Sequence, residues 1–188
     1  MKIAYDHQIF CIERFGGISH YFTELTPRLA ALGHNPKIFA PFHQNHYLAQ
    51  LPPTVYSGHG FNRFPNKTSR IATHVNRAVS NGIIQRWQPD ILHLTYYDWP
   101  NLVRKGAPTI VTVHDMNHEL QPHLFGRFER LAERKAAAVR NADHVICISQ
   151  NTKKDMMEIL GTPETKISVV HHGVCETAFA YPTIIDQL

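Results

Sequence analysis

The chain has 188 residues, with 19 Lys and Arg against 15 Asp and Glu, a net charge of +4 with every histidine neutral. That length suits one domain able to bury a core without disulfides or metals, and 43% hydrophobic against 18% charged residues exclude a disordered or fibrous chain. No apolar stretch approaches the ~20 residues of a spanning helix, and Met1-Lys2 runs straight into Ile3-Ala4-Tyr5 with no apolar leader region, so neither secretion nor membrane spanning is expected.

The first predicted strand is Lys2–Tyr5, followed by a turn at Phe15-Gly16-Gly17. From Ile18 the apolar residues Ile18, Tyr21, Phe22, Leu25, Leu29 and Leu32 recur at three and four, the spacing of one helical face, and Gly33 supplies a stop. Pro27 deletes a backbone donor inside this segment and is expected to bend it. A second strand follows at residues 37–40. Residues 41–68, with Pro52-Pro53, Gly58, Gly60 and Pro65, read as loop with a short strand near Val55, the kind of long segment that often binds ligands.

Residues 70–87 then read as helix, and Pro89-Asp90 punctuates before a strand at Ile91–Leu94. Thr109–Val113 is a nearly continuous β-branched run, the mark of a strand buried on both faces. Residues 128–140 and 151–160 are predicted helices, and residues 144–148 and 167–170 predicted strands. Strands alternating with helices, without polar–apolar alternation in the strands, imply an α/β fold with one Rossmann-like, doubly wound parallel sheet. Such sheets bind ligands at the carboxyl ends of their strands, so residues just after strands become candidates.

Cys11, Cys147 and Cys175 are three and widely spaced, which gives neither a disulfide framework nor a zinc-finger pattern and suits a reducing cytoplasm. The 14 histidines are the unusual feature. Full protonation would take the charge to about +18, a steep dependence around the imidazole pKa of ~6.5. The basic balance, with a pI of about 9.0, fits anionic ligands such as phosphates or lipid headgroups.

Gly16-Gly17 precedes a helix whose N-terminus offers free amides and a positive dipole end to an anion, although the pair reads equally well as a plain turn. It is neither GxGxxG nor a P-loop, so neither a dinucleotide site nor an ATPase is indicated. His114-Asp115 closes the most buried strand, where an imidazole could donate to a substrate hydroxyl or phosphate, or simply be solvated. His93, His114, Asp115 and His118 also allow a metal-dependent hydrolase as an alternative, but there is no HExxH, Asp115 lies off the i/i+4 face, and no metal is the favoured reading. Ser149 sits where it can N-cap the helix behind it, and Lys153 and Lys154 in that helix could face an anion or only water. Asn66-Lys67-Thr68 matches a glycosylation acceptor that, without a leader, is not expected to be used.

Three segments together resemble the N-terminal half of family 4 glycosyltransferases of the GT-B fold. They are Arg14-Phe15-Gly16-Gly17-Ile18, Val111-Thr112-Val113-His114-Asp115, and ADHVICISQNTKKDMMEILGTPETKISVVHHGV from Ala142 to Val174. The last is the most specific, with strand, Ser, Lys-bearing helix, Gly-x-Pro-x-x-Lys turn, strand and exit Gly in the family's order. The resemblance covers about residues 1–176 and is weakest over residues 41–68.

The resemblance implies a two-domain enzyme whose N-terminal half mainly recognises the acceptor and whose C-terminal half binds a nucleotide-sugar donor. Transfer occurs in the cleft between them, with retention at the anomeric carbon and no required metal or cofactor. Carried over, Gly16 and Gly17 would approach the donor diphosphate, and His114 would hydrogen-bond a hydroxyl of the transferred sugar. Arg14, Asp115, Ser149 and Lys153 would be further substrate contacts.

The family's donor-side E-x7-E signature has no counterpart, since no two glutamates here are eight apart. Residues 1–174 are therefore expected to form the Rossmann-like domain and 175–188 a linker or tail, with the donor-binding C-terminal domain absent and the chain inactive alone. The expected partners are a nucleotide-sugar donor, a polysaccharide or lipid-linked glycan acceptor as in lipopolysaccharide assembly, and the donor-binding domain, with no nucleic acid. The expected location is cytoplasmic, with peripheral contact to the inner membrane face. A non-catalytic sugar- or phosphate-binding module stands as the other alternative.

Overall fold

The computed structural model describes residues 1–64, 69–98, 107–125 and 130–173. Cys175, the tail at 175–188, the Asn66-Lys67-Thr68 triplet and the expected helix start at 128 lie outside them.

Seven strands form one sheet: β1 (Lys2–Tyr5), β2 (Asn35–His43), β3 (Tyr56–Gly60), β4 (Ile91–Leu94), β5 (Thr109–Val113), β6 (His144–Cys147) and β7 (Ile167–Val169). Their order is β3-β2-β1-β4-β5-β6-β7, and every neighbouring pair is parallel. Helices α1 (Gln8–Ile12), α2 (Gly17–Ala31), α3 (Ser69–Trp87), α4 (Asn117–Leu120), α5 (Leu131–Asn141) and α6 (Gln150–Leu160) connect them. The doubly wound expectation holds because short β-branched runs have helices to cover both faces.

Two buried clusters show that double cover. Ala4, Leu92, Leu94, Val111, Val113 and Val145 pack with Ile84 of α3, Val139 of α5 and Met156 of α6. Ile3, Tyr5, Ile38 and Ala40 pack with Phe22 of α2 and with Ile9 and Phe10 of α1. Successive residues of β1 thus feed opposite cores, as the two-residue period of a strand requires.

Three expectations change. Helix α1 is absent from the sequence reading, because five residues are too few to show a helical period. The segment read as loop is more ordered: β2 runs on to His43, a 3₁₀ turn covers Tyr47–Gln50, and β3 pairs at the sheet edge around a bulge at Ala40/Phe42. Helix α2 continues through Pro27 without a break and ends beside Gly33 at φ 84°, a left-handed conformation that glycine adopts without strain.

The strand order reverses between β1 and β4, where such sheets open a crevice. At that point hydrogen bonds tie the chain after β1 to the chain after β4. The Asp6 carboxylate accepts from the Gln8 amide (3.3 Å), Gln8 Nε2 (2.6 Å), the Thr95 amide (3.1 Å) and the Thr95 hydroxyl. Gln8 in turn accepts from the Asp98 amide at 2.6 Å. The open space lies further along, between α2 and the segment after β7.

Candidate functional site

The N-terminus of α2 is built by a short loop, Glu13 to Gly16. Gly16 is the N-cap residue, and the Glu13 carboxylate accepts the Ser19 amide at 3.0 Å, satisfying one of the helix's orphan donors. A Cβ on Gly16 would lie 2.1 Å from that carboxyl group, so glycine is needed for the close approach of Glu13. Around Gly17 a Cβ would meet nothing within 4 Å, because this position faces a cleft. The cleft, of ≈ 360 Å³, lies between Gly17, His20, Tyr21 and Glu24 of α2 and residues 170–173 after β7.

His114 follows β5 and is walled by two rings. Tyr21 meets it edge-on at 5.7 Å and His172 at 5.3 Å, while Tyr21 and His172 stack on each other at 4.7 Å. Its Nε2 is enclosed and has no hydrogen-bond partner. Burial, with added repulsion from His172 and Lys135 against an opposing pull from Asp115, takes its pKa down to about 4. His114 is therefore uncharged at neutral pH.

A polar line runs beneath it. The Tyr21 hydroxyl hydrogen-bonds the Thr112 side chain, and Thr112 Oγ1 lies 2.8 Å from His93 Nε2. His93 is packed between Tyr5 and Phe22, and burial lowers its pKa to about 3. It supports the site from inside the core and does not reach the cleft.

The remaining candidates are spread around the sheet's carboxyl edge. Arg14 is exposed, its guanidinium 5.9 Å from the Phe15 ring centroid. Phe15, 59% exposed, begins a ridge of rings with His46 (4.9 Å) and Tyr47 (6.0 Å), which His20 extends at 4.9 Å from Tyr47. Asp115 caps the start of α4 by accepting the Asn117 amide at 3.0 Å. Ser149 N-caps α6, accepting the Thr152 amide at 3.0 Å, and Lys153 donates to Glu164 at 2.7 Å. The structure thus brings Gly17 and His114 together through Tyr21, while Ser149 and Lys153 make their contacts within and beside α6.

The four residues of the metal alternative do not converge: His93 bonds Thr112, Asp115 caps α4, and His118 stacks on Phe125 at 3.8 Å. Among the described residues no three His, Cys, Asp or Glu side chains are grouped to hold a metal ion. Tyr21 and His172 were missed as site residues. Tyr21 reads as one more apolar position of α2, and His172 lies in the His-His-Gly that follows the last strand.

Residues 15–177 match the profile described as Glycosyltransferase Family 4. The chain belongs to this family. Two solved structures are similar in fold. One is a glycosyltransferase from Rickettsia africae, at 18% identity and TM-score 0.57, covering 96% of this chain and 46% of that one. The other is the lipopolysaccharide outer core galactosyltransferase WaaB in its apo form, at 18% identity and TM-score 0.58, covering 93% and 46%. The chain thus spans about half the length of each. Among curated proteins no sequence matches it. No helix among the described residues is long and apolar enough to cross a membrane.

Proposed function

We propose that this family 4 domain is the acceptor-side half of a retaining glycosyltransferase that moves a sugar from a nucleotide-sugar donor to a glycan or glycolipid, with little turnover by itself. The observation that carries this is His114: uncharged, with an enclosed and unpartnered Nε2, one ring away from the open Gly17 cleft. The acceptor hydroxyl attacks the anomeric carbon as the diphosphate leaves. The protein acts by positioning and by stabilising charge on the leaving group. His114 hydrogen-bonds a hydroxyl of the transferred sugar, and the first turn of α2 at Gly17 approaches the diphosphate with its amides and dipole. Glu13 already takes the Ser19 amide there, so the anion contact falls on the turn's outer amides.

The ridge of Phe15, His46, Tyr47 and His20, with Arg14 beside it, forms the acceptor side of the cleft. The fold likeness to an outer core galactosyltransferase makes a lipopolysaccharide-type acceptor and a galactose donor the first pair to assay. The net charge of +4 suits a lipid-linked acceptor at the inner membrane face. No metal or cofactor is assigned.

The test measures transfer from a panel of UDP-, GDP- and ADP-sugars to lipopolysaccharide core acceptors. The chain is assayed with a family 4 donor-binding domain supplied in trans. Leaving one buried hydrogen bond unmade costs about 1–3 kcal/mol, so His114→Ala is expected to cut transfer roughly 10–100-fold while the fold is kept. Near-normal transfer by that variant refutes the role of His114. No transfer with any donor when the second domain is present favours the non-catalytic binding module.

A further inference from the structure

Beneath the His114 turn lies a lysine that the reaction scheme leaves unused. Lys135 of α5 has a side chain only 1% exposed, and its partner Glu119 of α4 only 5%. Its Nζ donates to Glu119 Oε2 at 2.9 Å and to the backbone carbonyl of Asp115 at 2.8 Å, with Asp115 Oδ1 at 3.9 Å. The ammonium sits 5.5 Å from the ring centroid of Tyr97, a buried residue after β4. The Tyr97 hydroxyl also lies against the His114 backbone. The His114–Asp115 turn thus rests on Lys135 of α5 and on Tyr97.

A buried ion pair is a poor way to gain stability, because removing two charges from water costs several kcal/mol and apolar replacement is often neutral or better. What such a pair does well is fix one geometry. The chain leaves β5 at Val113 and enters α4 at Asn117, so the connection that carries His114 is only three residues long. Its Asp115 carbonyl finds its acceptor role in Lys135.

We propose that Lys135 is a positioning residue: paired with Glu119 and seated on Tyr97, it holds the His114–Asp115 turn so that the imidazole stays packed between Tyr21 and His172 at the cleft. The functional side of this rests on the role given to His114 above. The groups facing His114 are Tyr21, His172, Asp115, Lys135 and, from the core, His93, and those facing Lys135 are Glu119, Asp115 and Tyr97. Lys135 also contributes to keeping His114 uncharged.

The test uses the whole chain with labelled histidine, tyrosine and lysine, read by NMR. In Lys135→Met/Glu119→Gln both buried charges leave together, so the melting temperature is expected to stay within a few degrees of the parent. The nuclear Overhauser contacts from His114 to Tyr21 and His172 are expected to disappear. The His114 titration midpoint is expected to rise towards the free imidazole value. A folded double variant that keeps those ring contacts overturns the proposal, even if the midpoint moves, since a midpoint shift alone is a charge effect through space. Should the double variant not fold, the parent decides. Slowly exchanging Lys135 ammonium protons with contacts to the Asp115 turn support the proposal, and their absence overturns it. These readings do not depend on catalysis, so they fail or succeed separately from the His114→Ala transfer assay.

Discussion

Lowering the pH from 6.5 to 4.5 is expected to destabilise the domain steeply; three buried histidines away from the cleft supply most of the slope, and His114 adds to it in the same direction. His7, His43 and His93 are 3%, 1% and 5% exposed. Burial lowers their pKa values to about 4, 4 and 3, with smaller repulsive contributions from Arg77 at His7, His59 at His43 and His114 at His93. In the unfolded chain each returns to about 6.5. Below that value the unfolded state binds more protons than the native one, so stability is present above pH 6.5 and is lost as the pH falls towards the folded values. Near pH 5 the three together remove about 4 kcal/mol per pH unit, at about 1.4 kcal/mol each.

Asp6 opposes them. Its burial outweighs its bonds to Thr95 and Gln8 and raises its pKa to about 6. Between about pH 4 and 6 the native state therefore holds the extra proton, and stability falls as pH rises through that window. The net slope is about 2.5 kcal/mol per unit, or about 5 kcal/mol over the two units, against a typical total of about 5–15 kcal/mol. For a domain of this size that is a fall in Tm of about 5–10 °C per pH unit, measurable by circular dichroism melts at constant ionic strength. Asp6→Asn removes the opposing titration and should steepen the slope to about 4 kcal/mol per unit. A Tm that stays flat between pH 6.5 and 5 would refute the reasoning, because it requires these imidazoles to be solvated or charged in the native state.

Three substitutions separate fold from function. Ser149→Ala deletes the N-cap of α6 and should cost about 1 kcal/mol, seen as a Tm lower by about 2–4 °C, with transfer unchanged if capping is its only task. Gly16→Ala forces the Glu13 carboxyl away from a Cβ otherwise 2.1 Å distant and should lower Tm through loss of the Glu13–Ser19 bond. Adding Glu13→Ala should remove the clash without restoring the lost cap, so full recovery of Tm would contradict this account. Gly17→Ala has open space and should keep the parental Tm while weakening nucleotide-sugar binding by calorimetry. Unchanged affinity would show that the ligand does not approach the start of α2.

The architecture was legible because its signals are local. The β-branched run at Thr109–Val113, the three-and-four spacing of α2 and the Gly that ends α6 in a left-handed conformation at φ 63° each act within a few residues. His114 was legible as a candidate for the same reason, since its place after a doubly buried strand can be read along the chain. Ser149 was legible as a cap, and the structure shows it capping. Helix α1 was not legible, since it is too short to show a period, and of β3 only a short strand near Val55 could be read, because it is Gly- and His-rich and is held by pairing with β2.

The sequence by itself determined a doubly wound parallel sheet and the chemistry available at its carboxyl edge, because hydrophobic periodicity, turn residues and caps are properties of neighbouring residues. Only the tertiary structure decided which of the 14 histidines pack against Tyr21 of α2. It also decided that Asp6 and Gln8 bridge the two segments at the strand-order reversal, and that Lys135 is buried against Glu119 beneath the His114 turn. Those outcomes depend on the desolvation and pairing of groups far apart in the chain, and no local pattern records which charges will be taken out of water together.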